Sequence, residues 1–170
     1  LLPDSDIIRR RIQRRFGTSS QQAFDLLSEI GRDCVGALQI LPEESEPESV
    51  KSISYEPLNS EDVEQILKRT TSSDLFRTDN PDDFRISIAG AQEKTALLFY
   101  KNTWAKPAGT TPSTHILKMP IGAVGYADMS TSVENEWLCL QIINEFGIRT
   151  ADCKMAQFGD QKTLVVERFD

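Results

Sequence analysis

The sequence is poor in the residue types that most often carry chemistry. It has one histidine, His115, and three cysteines, Cys34, Cys139 and Cys153, scattered with no C-x-x-C spacing. Three unclustered cysteines give no disulfide framework and read as reduced thiols of a cytoplasmic protein. His115 alone is expected to pack or bond locally rather than catalyse. No apolar run approaches the roughly 20 residues a membrane helix needs, and no signal peptide is recognisable at the start. The opening Leu1-Leu2-Pro3-Asp4, without an initiator methionine, reads as the interior of a longer protein. Basic residues are also in the minority, 19 against 26 acidic, for a net charge of −7. That argues against a general nucleic-acid surface, because neutralising phosphates needs a cationic face. The one dense basic cluster, Arg9-Arg10-Arg11 with Arg14 and Arg15, reads as an exposed helix face.

Apolar residues make up 39% of the 170, enough for a core in one domain or two small ones. Asp4 or Ser5 can cap a first helix with Ile7, Ile8, Ile12 and Phe16 as its apolar positions, closed by Gly17. Ser19 or Ser20 can cap a second, with Phe24, Leu27 and Ile30 on one stripe. "CVGALQIL" reads as a buried strand stopped by Pro42. The acidic, Pro/Ser-rich "PEESEPES" reads as a solvated linker, followed by a helix at "SEDVEQILKR" capped by Asn59 or Ser60. From Phe84 onward the pattern is strand-rich. Phe84–Ile88 and Thr95–Tyr100 flank a small-residue turn, and Lys101-Asn102 leads on to Trp104. "THILKMP" is a strand, and "GAVGYADMSTS" a loop. "SVENEWLCLQIINEFG" is a helix capped by Ser132, with Leu138, Ile142 and Phe146 on one stripe and Gly147 closing it. A hairpin turning at Gly159-Asp160 follows.

The stretch "FRISIAGAQEK" carries the chemical question. Ala89-Gly90-Ala91 lets backbone N–H groups approach an anion closely, and Lys94 and Lys118 supply positive charge. Strand, small-residue loop, strand, lysine-bearing strand, helix and hairpin is the order of a protein-kinase-like small lobe. Singly, each part has an ordinary structural meaning: a plain hairpin, a solvent-facing lysine, a solvated helix face at Glu134 and Glu136. Lys94-Thr95 after Gly90 lacks the second glycine of G-x-x-x-x-G-K, so a P-loop nucleotidase fails on its motif. Glu134 and Glu136, two apart on a helix, point to different sides and form no metal cluster.

Together, "LLPDSDIIRRRI", "FDLLSEIGRDCVGALQI", "DFRISIAGAQEKTALL", "HILKMPIG", "SVENEWLCLQI" and "LVVERFD" resemble, in that order, the bacterial HipA-like serine/threonine kinases, toxins of type II toxin–antitoxin systems. The resemblance covers nearly the whole chain except the acidic linker and the loop at 122–130. It implies an α+β fold: a kinase-like small lobe of antiparallel sheet plus helix, after a mainly helical N-terminal segment. The division it implies is 1–45 as the end of the N-terminal subdomain, 46–83 as linker and connecting helix, and 84–170 as the small lobe up to the hinge. Ala89, Gly90, Ala91, Gln92, Glu93 and Lys94 look like the phosphate-covering loop, and Lys118 like the ATP-binding lysine. Glu167, Arg168 and Phe169 look like the hinge whose backbone meets adenine. Ser87 matches the autophosphorylated serine. For the lysine-orienting glutamate the resemblance favours Glu136, with Glu134 left open.

The implied cofactors are ATP and Mg2+, with the metal ligands outside this chain. The implied partners are a helix-turn-helix, HipB-like antitoxin, through which DNA is reached only indirectly, and a protein substrate of the aminoacyl-tRNA synthetase class. No membrane partner is implied. No D-x-x-x-x-N or D-F-G-like triplet follows the lysine, so the fold is expected to be incomplete, with the catalytic Asp beyond Asp170. The competing reading is a non-catalytic interaction module, or split subunit, that docks the antitoxin or a separate large-lobe chain.

Overall fold

The computed structural model describes residues 2, 6–31, 34, 38–41, 43–44, 52–71 and 92–169. Two helices open it, α1 (Asp6–Phe16) and α2 (Ala23–Ile30). Ile8 and Ile12, one turn apart, meet Leu26 and Ile30, also one turn apart, with Leu2 against them. Gly17 leaves α1 at φ +65°, a conformation a side chain resists. The buried stripe of α2 is the expected one at Ile30 and, in part, at Leu27, but not at Phe24. Phe24 is 84% exposed, whereas Leu26 is fully buried. The Ser20 hydroxyl accepts the Gln22 N–H and donates to Asp25, so the helix begins only at Ala23 and presents Leu26 and Ile30 to α1.

Of residues 34–41, expected as a buried strand, the described ones form one isolated bridge instead. Cys34 donates its N–H to Leu38 in one isolated bridge, Ile40 donates to Gly31, and Leu38 is exposed.

The rest is built on a six-stranded antiparallel sheet, in the order β1 (Ser54–Leu58), β3 (Thr103–Ala108), β2 (Lys94–Tyr100), β4 (His115–Lys118), β8 (Gln161–Glu167), β7 (Cys153–Phe158). β1 comes from the stretch expected to hold only linker and helix. Its Pro57 lacks an N–H to donate, which suits an edge strand, and β1 is one. Lys101 and Asn102 close the β2–β3 hairpin with φ of +50° and +61°, the left-handed pair that tight two-residue turns require. Gly159-Asp160 turns β7 into β8, as expected. The stretch 122–129, expected as loop, is a short two-stranded ribbon, β5 (Gly122–Val124) and β6 (Ala127–Met129). Three-residue strands are too short to show a two-residue period. The expected strand Phe84–Ile88 lies outside the described residues.

Each face of the sheet carries one helix. α3 (Ser60–Thr71) starts at Asn59, whose side-chain oxygen accepts the N–H groups of Glu61 and Asp62 at 2.8 and 3.0 Å. Asp62 returns the bond to the Asn59 N–H at 2.9 Å. Val63 and Leu67 bury against Leu97, Leu117, Met119, Phe158 and Val165. α4 (Ser132–Glu145) lies on the opposite face, where Val133 packs with Leu164 and Val166. Ser132 does not cap it; its hydroxyl accepts the Ile121 N–H instead. The stripe Leu138, Ile142, Phe146 is exposed. No helix among the described residues is long and apolar enough to cross a membrane.

The β7–β8 turn is tied to α3 by charge. Lys68 bridges Glu64 at 2.6 Å and Asp160 at 3.1 Å. The Gln161 amide and then the Lys68 ammonium hold the Asp160 carboxyl down at about 2, against 3.8 ordinarily. A carboxyl whose folded-state pKa is depressed stabilises the fold above its unfolded value, and that contribution is lost as pH falls through the folded value. The difference in urea midpoint between wild type and Asp160→Asn is therefore expected to be constant above about pH 5 and to shrink toward zero near about pH 2. A difference that persists at the acid end would show that the carboxylate charge is irrelevant to the turn.

Candidate functional site

β4 has the sequence His-Ile-Leu-Lys, and alternation sends its residues to two different environments. Leu117 is fully buried on the α3 face. Lys118 projects on the α4 face, where its Nζ lies 2.5 Å from Glu136 Oε1. Both side chains are largely enclosed, 23% and 31% exposed. Glu134 turns to a different lysine, Lys162 of β8. Of the two helix glutamates weighed from the sequence, the structure therefore brings Glu136 to Lys118.

A second cation stands beside the first. Lys94 is directly opposite Lys118 in the β2–β4 ladder. Directly opposed like charges repel, so the pairing raises the local positive potential. The Glu136 carboxylate offsets part of it; an anion above the two strands would offset more. The chain entering β2 is fixed at the same place. The Gln92 amide donates to the Met119 carbonyl at 2.7 Å, and Met119 donates its N–H to Glu93 at 3.1 Å. Gln92, Glu93 and Lys94 thus dock on the Lys118 end of β4. Ser87, Ala89, Gly90 and Ala91 lie outside the described residues.

The triplet at the end of β8 is partly spent inside the fold. Glu167 donates its N–H to Asp152, and Arg168 donates its own to Thr114, at 2.8 and 2.9 Å. The Arg168 guanidinium donates to the Ser113 hydroxyl at 2.7 Å and to the Cys34 carbonyl at 3.4 Å. It therefore ties the N-terminal segment to the end of the sheet. The Phe169 side chain is almost wholly exposed.

His115 does bond locally. Its Nδ1 is 2.8 Å from the Thr114 hydroxyl, and its ring meets Phe99 and Trp104 edge-on. Burial pushes its pKa below the ordinary value. With Asp152, Cys153, Lys154, Val165 and Glu167 it lines a cavity of about 160 Å³. His115 and Lys118 have opposite parity on β4, so His115 faces away from the Lys118–Glu136 pair, whereas Cys153 of the same cavity packs with the α4-face cluster.

Sequence reasoning missed Lys162 and the side-chain role of Arg168. A signal for Lys162 existed: it shares strand parity with Leu164 and Val166, the two β8 residues that pack under α4.

Residues 86–170 match the family described as HipA-like C-terminal domain, and residues 1–41 match HipA N-terminal domain. The chain belongs to the HipA family. This HipA-family chain is 32% identical over 157 residues to Y4mE of Sinorhizobium fredii, a stretch covering 91% of the chain and 36% of that relative. It is 30% identical over 170 residues to the serine/threonine-protein kinase toxin HipA of Shewanella oneidensis, covering all of the chain and 36% of that protein. A solved complex of Shewanella oneidensis HipA with HipB and its operator DNA superposes with a TM-score of 0.70 at 28% identity, over all of this chain and 37% of that one. The chain thus spans about a third of the length of these relatives.

The Lys118–Glu136 pair of this HipA-family chain keeps some contact with solvent, and such pairs contribute little to folding. Lys118→Met is expected to cost about 1 kcal/mol or less in urea unfolding. A loss of about 3 kcal/mol or more would mark Lys118 as a structural group.

Proposed function

We propose that this chain is the ATP-binding part of a HipA-like protein serine/threonine kinase, the toxin of a type II toxin–antitoxin system. The observation that carries the reading is the Lys118–Glu136 pair, which joins a central strand to the helix that follows. A triphosphate concentrates negative charge, and a kinase small lobe meets it with a strand lysine held in place by a helix glutamate. In this reading Lys118 pairs with the nucleotide phosphates and Glu136 orients it. The segment Ala89–Lys94 covers the phosphates, with Lys94 as a second cation at its root. The backbone of Glu167, Arg168 and Phe169 meets the adenine; the N–H groups of the first two are engaged within the fold. Mg2+ would be held by groups outside this chain and would supply charge neutralisation at the phosphates, and the Asp that accepts the substrate hydroxyl proton would likewise lie outside it.

Family membership and the name of the Shewanella relative support the kinase class. The HipA–HipB–DNA complex supports a HipB-like, helix-turn-helix antitoxin as partner, with DNA reached through it. The proposed target is a protein of the aminoacyl-tRNA synthetase class, whose phosphorylation arrests translation in the cytoplasm and favours dormancy. Ser87 serves as the brake: a phosphate there adds about −1.5 to −2 charges beside the loop and repels the incoming ATP phosphates.

The test is transfer of labelled γ-phosphoryl from Mg-ATP, measured on the complete gene product. Lys118→Ala is expected to lower it at least about 100-fold while leaving antitoxin capture intact. Undiminished transfer by the variant would overturn the role given to Lys118; capture without any transfer in the wild type would overturn the kinase assignment and favour the interaction-module reading.

A further inference from the structure

Glu134 and Glu136 stand on either flank of the residue that α4 buries. At about 100° per residue, Glu134 lies about 100° to one side of Val133 and Glu136 about 60° to the other. Each reaches down to a lysine on a different strand: Glu136 to Lys118 of β4, Glu134 to Lys162 of β8. Among the described residues, Val133 is the one fully buried side chain of α4, with Trp137 partly covered beside it. Leu138, Ile142 and Phe146 are exposed and leave the helix without a deep apolar anchor. A helix seated on one small stripe can roll about its axis. Two ion pairs, one on each flank, oppose rolling in both directions.

We propose that Glu134 and Lys162 are positioning residues: their ion pair sets the rotation of α4 so that Glu136 meets Lys118. The inference rests on the nucleotide-binding reading above for its consequence, but not for its geometry. If the Glu134–Lys162 pair is lost, the helix rolls toward the Lys118 flank, and the Glu136 carboxylate is carried off Lys118. The Lys162 ammonium also holds the Glu134 carboxyl below its ordinary pKa, consistent with a formed pair. Glu134 Oε2 is buried with no side-chain partner among the described residues, and Lys162 holds the other oxygen.

The test compares Glu134→Gln, Lys162→Met and the exchanged pair Glu134→Lys with Lys162→Glu, all in the complete gene product. Two readouts are taken: amide hydrogen exchange of α4 without nucleotide, and labelled phosphoryl transfer from Mg-ATP. Each single variant is expected to speed exchange in α4 by about fivefold, the upper end for a solvent-accessible pair, with β7 and β8 unchanged. Transfer is expected to fall by a similar factor, and the exchanged pair to return both readouts to within about twofold of wild type. Wild-type exchange in both single variants, or an exchanged pair that stays as fast as the singles, overturns the proposal. Lys118→Ala, run alongside, separates the two readings. If it transfers phosphate at the wild-type rate, the assignment of Lys118 to the nucleotide falls, and the exchange of α4 alone decides the role of Glu134 and Lys162.

Discussion

The architecture depends on how β4 divides its side chains. Leu117 enters a cluster formed with α3, and Lys118 emerges under α4. β4 is an interior strand, paired with β2 on one side and β8 on the other, so its register is set twice. A one-residue slip would drive the Lys118 ammonium into Val63, Leu67 and Val165 and bring Leu117 opposite Glu136. Burying an unpaired ammonium costs far more than a lost surface pair. The apolar cluster on one face therefore fixes where the cation stands on the other.

That arrangement leaves the two helices unequally held. α3 sinks Val63, Leu67 and Thr70 into the protein, carries a reciprocal cap, and is tied to the distant hairpin through Glu64, Lys68 and Asp160. α4 sinks only Val133 and relies on carboxylate–ammonium pairs for its orientation. Electrostatic pairs of this exposure are worth about 1 kcal/mol or less each. Under the proposal above, a helix oriented by them is shifted by modest changes of charge, while α3 is held by its buried side chains. The end of β8 is anchored more firmly, through Arg168 to Ser113 and the Cys34 carbonyl.

Much of the fold was legible because local chemistry and tertiary packing agree. Asn59 and Asp62 announce the start of α3, Lys101-Asn102 and Gly159-Asp160 announce hairpins, and each is found there. Where the two conflict, sequence reasoning failed for definite reasons. Ser54–Leu58 lies in a stretch expected as linker, yet an edge strand tolerates the missing N–H of Pro57. Phe24 fits a helical stripe, but the late start set by Ser20 turns Leu26 inward instead. Residues 34–41 have the apolar content of a strand, yet among the described ones the Cys34 N–H goes to Leu38 and the Ile40 N–H to Gly31.

From the sequence alone came the antiparallel α+β character, the positions of the helices and hairpins, the family, and Lys118 as the lysine of interest. These rest on local signals: caps, left-handed turns, alternation and contiguous words. Which glutamate meets Lys118, that Lys162 takes the other, and that Arg168 reaches the Cys34 carbonyl were decided only in three dimensions. Each joins residues far apart in the chain, and the helix periodicity that places Glu134 and Glu136 on different flanks does not say which strand lies beneath either flank. Sheet order and the rotation of α4 supply that, and both are outcomes of packing.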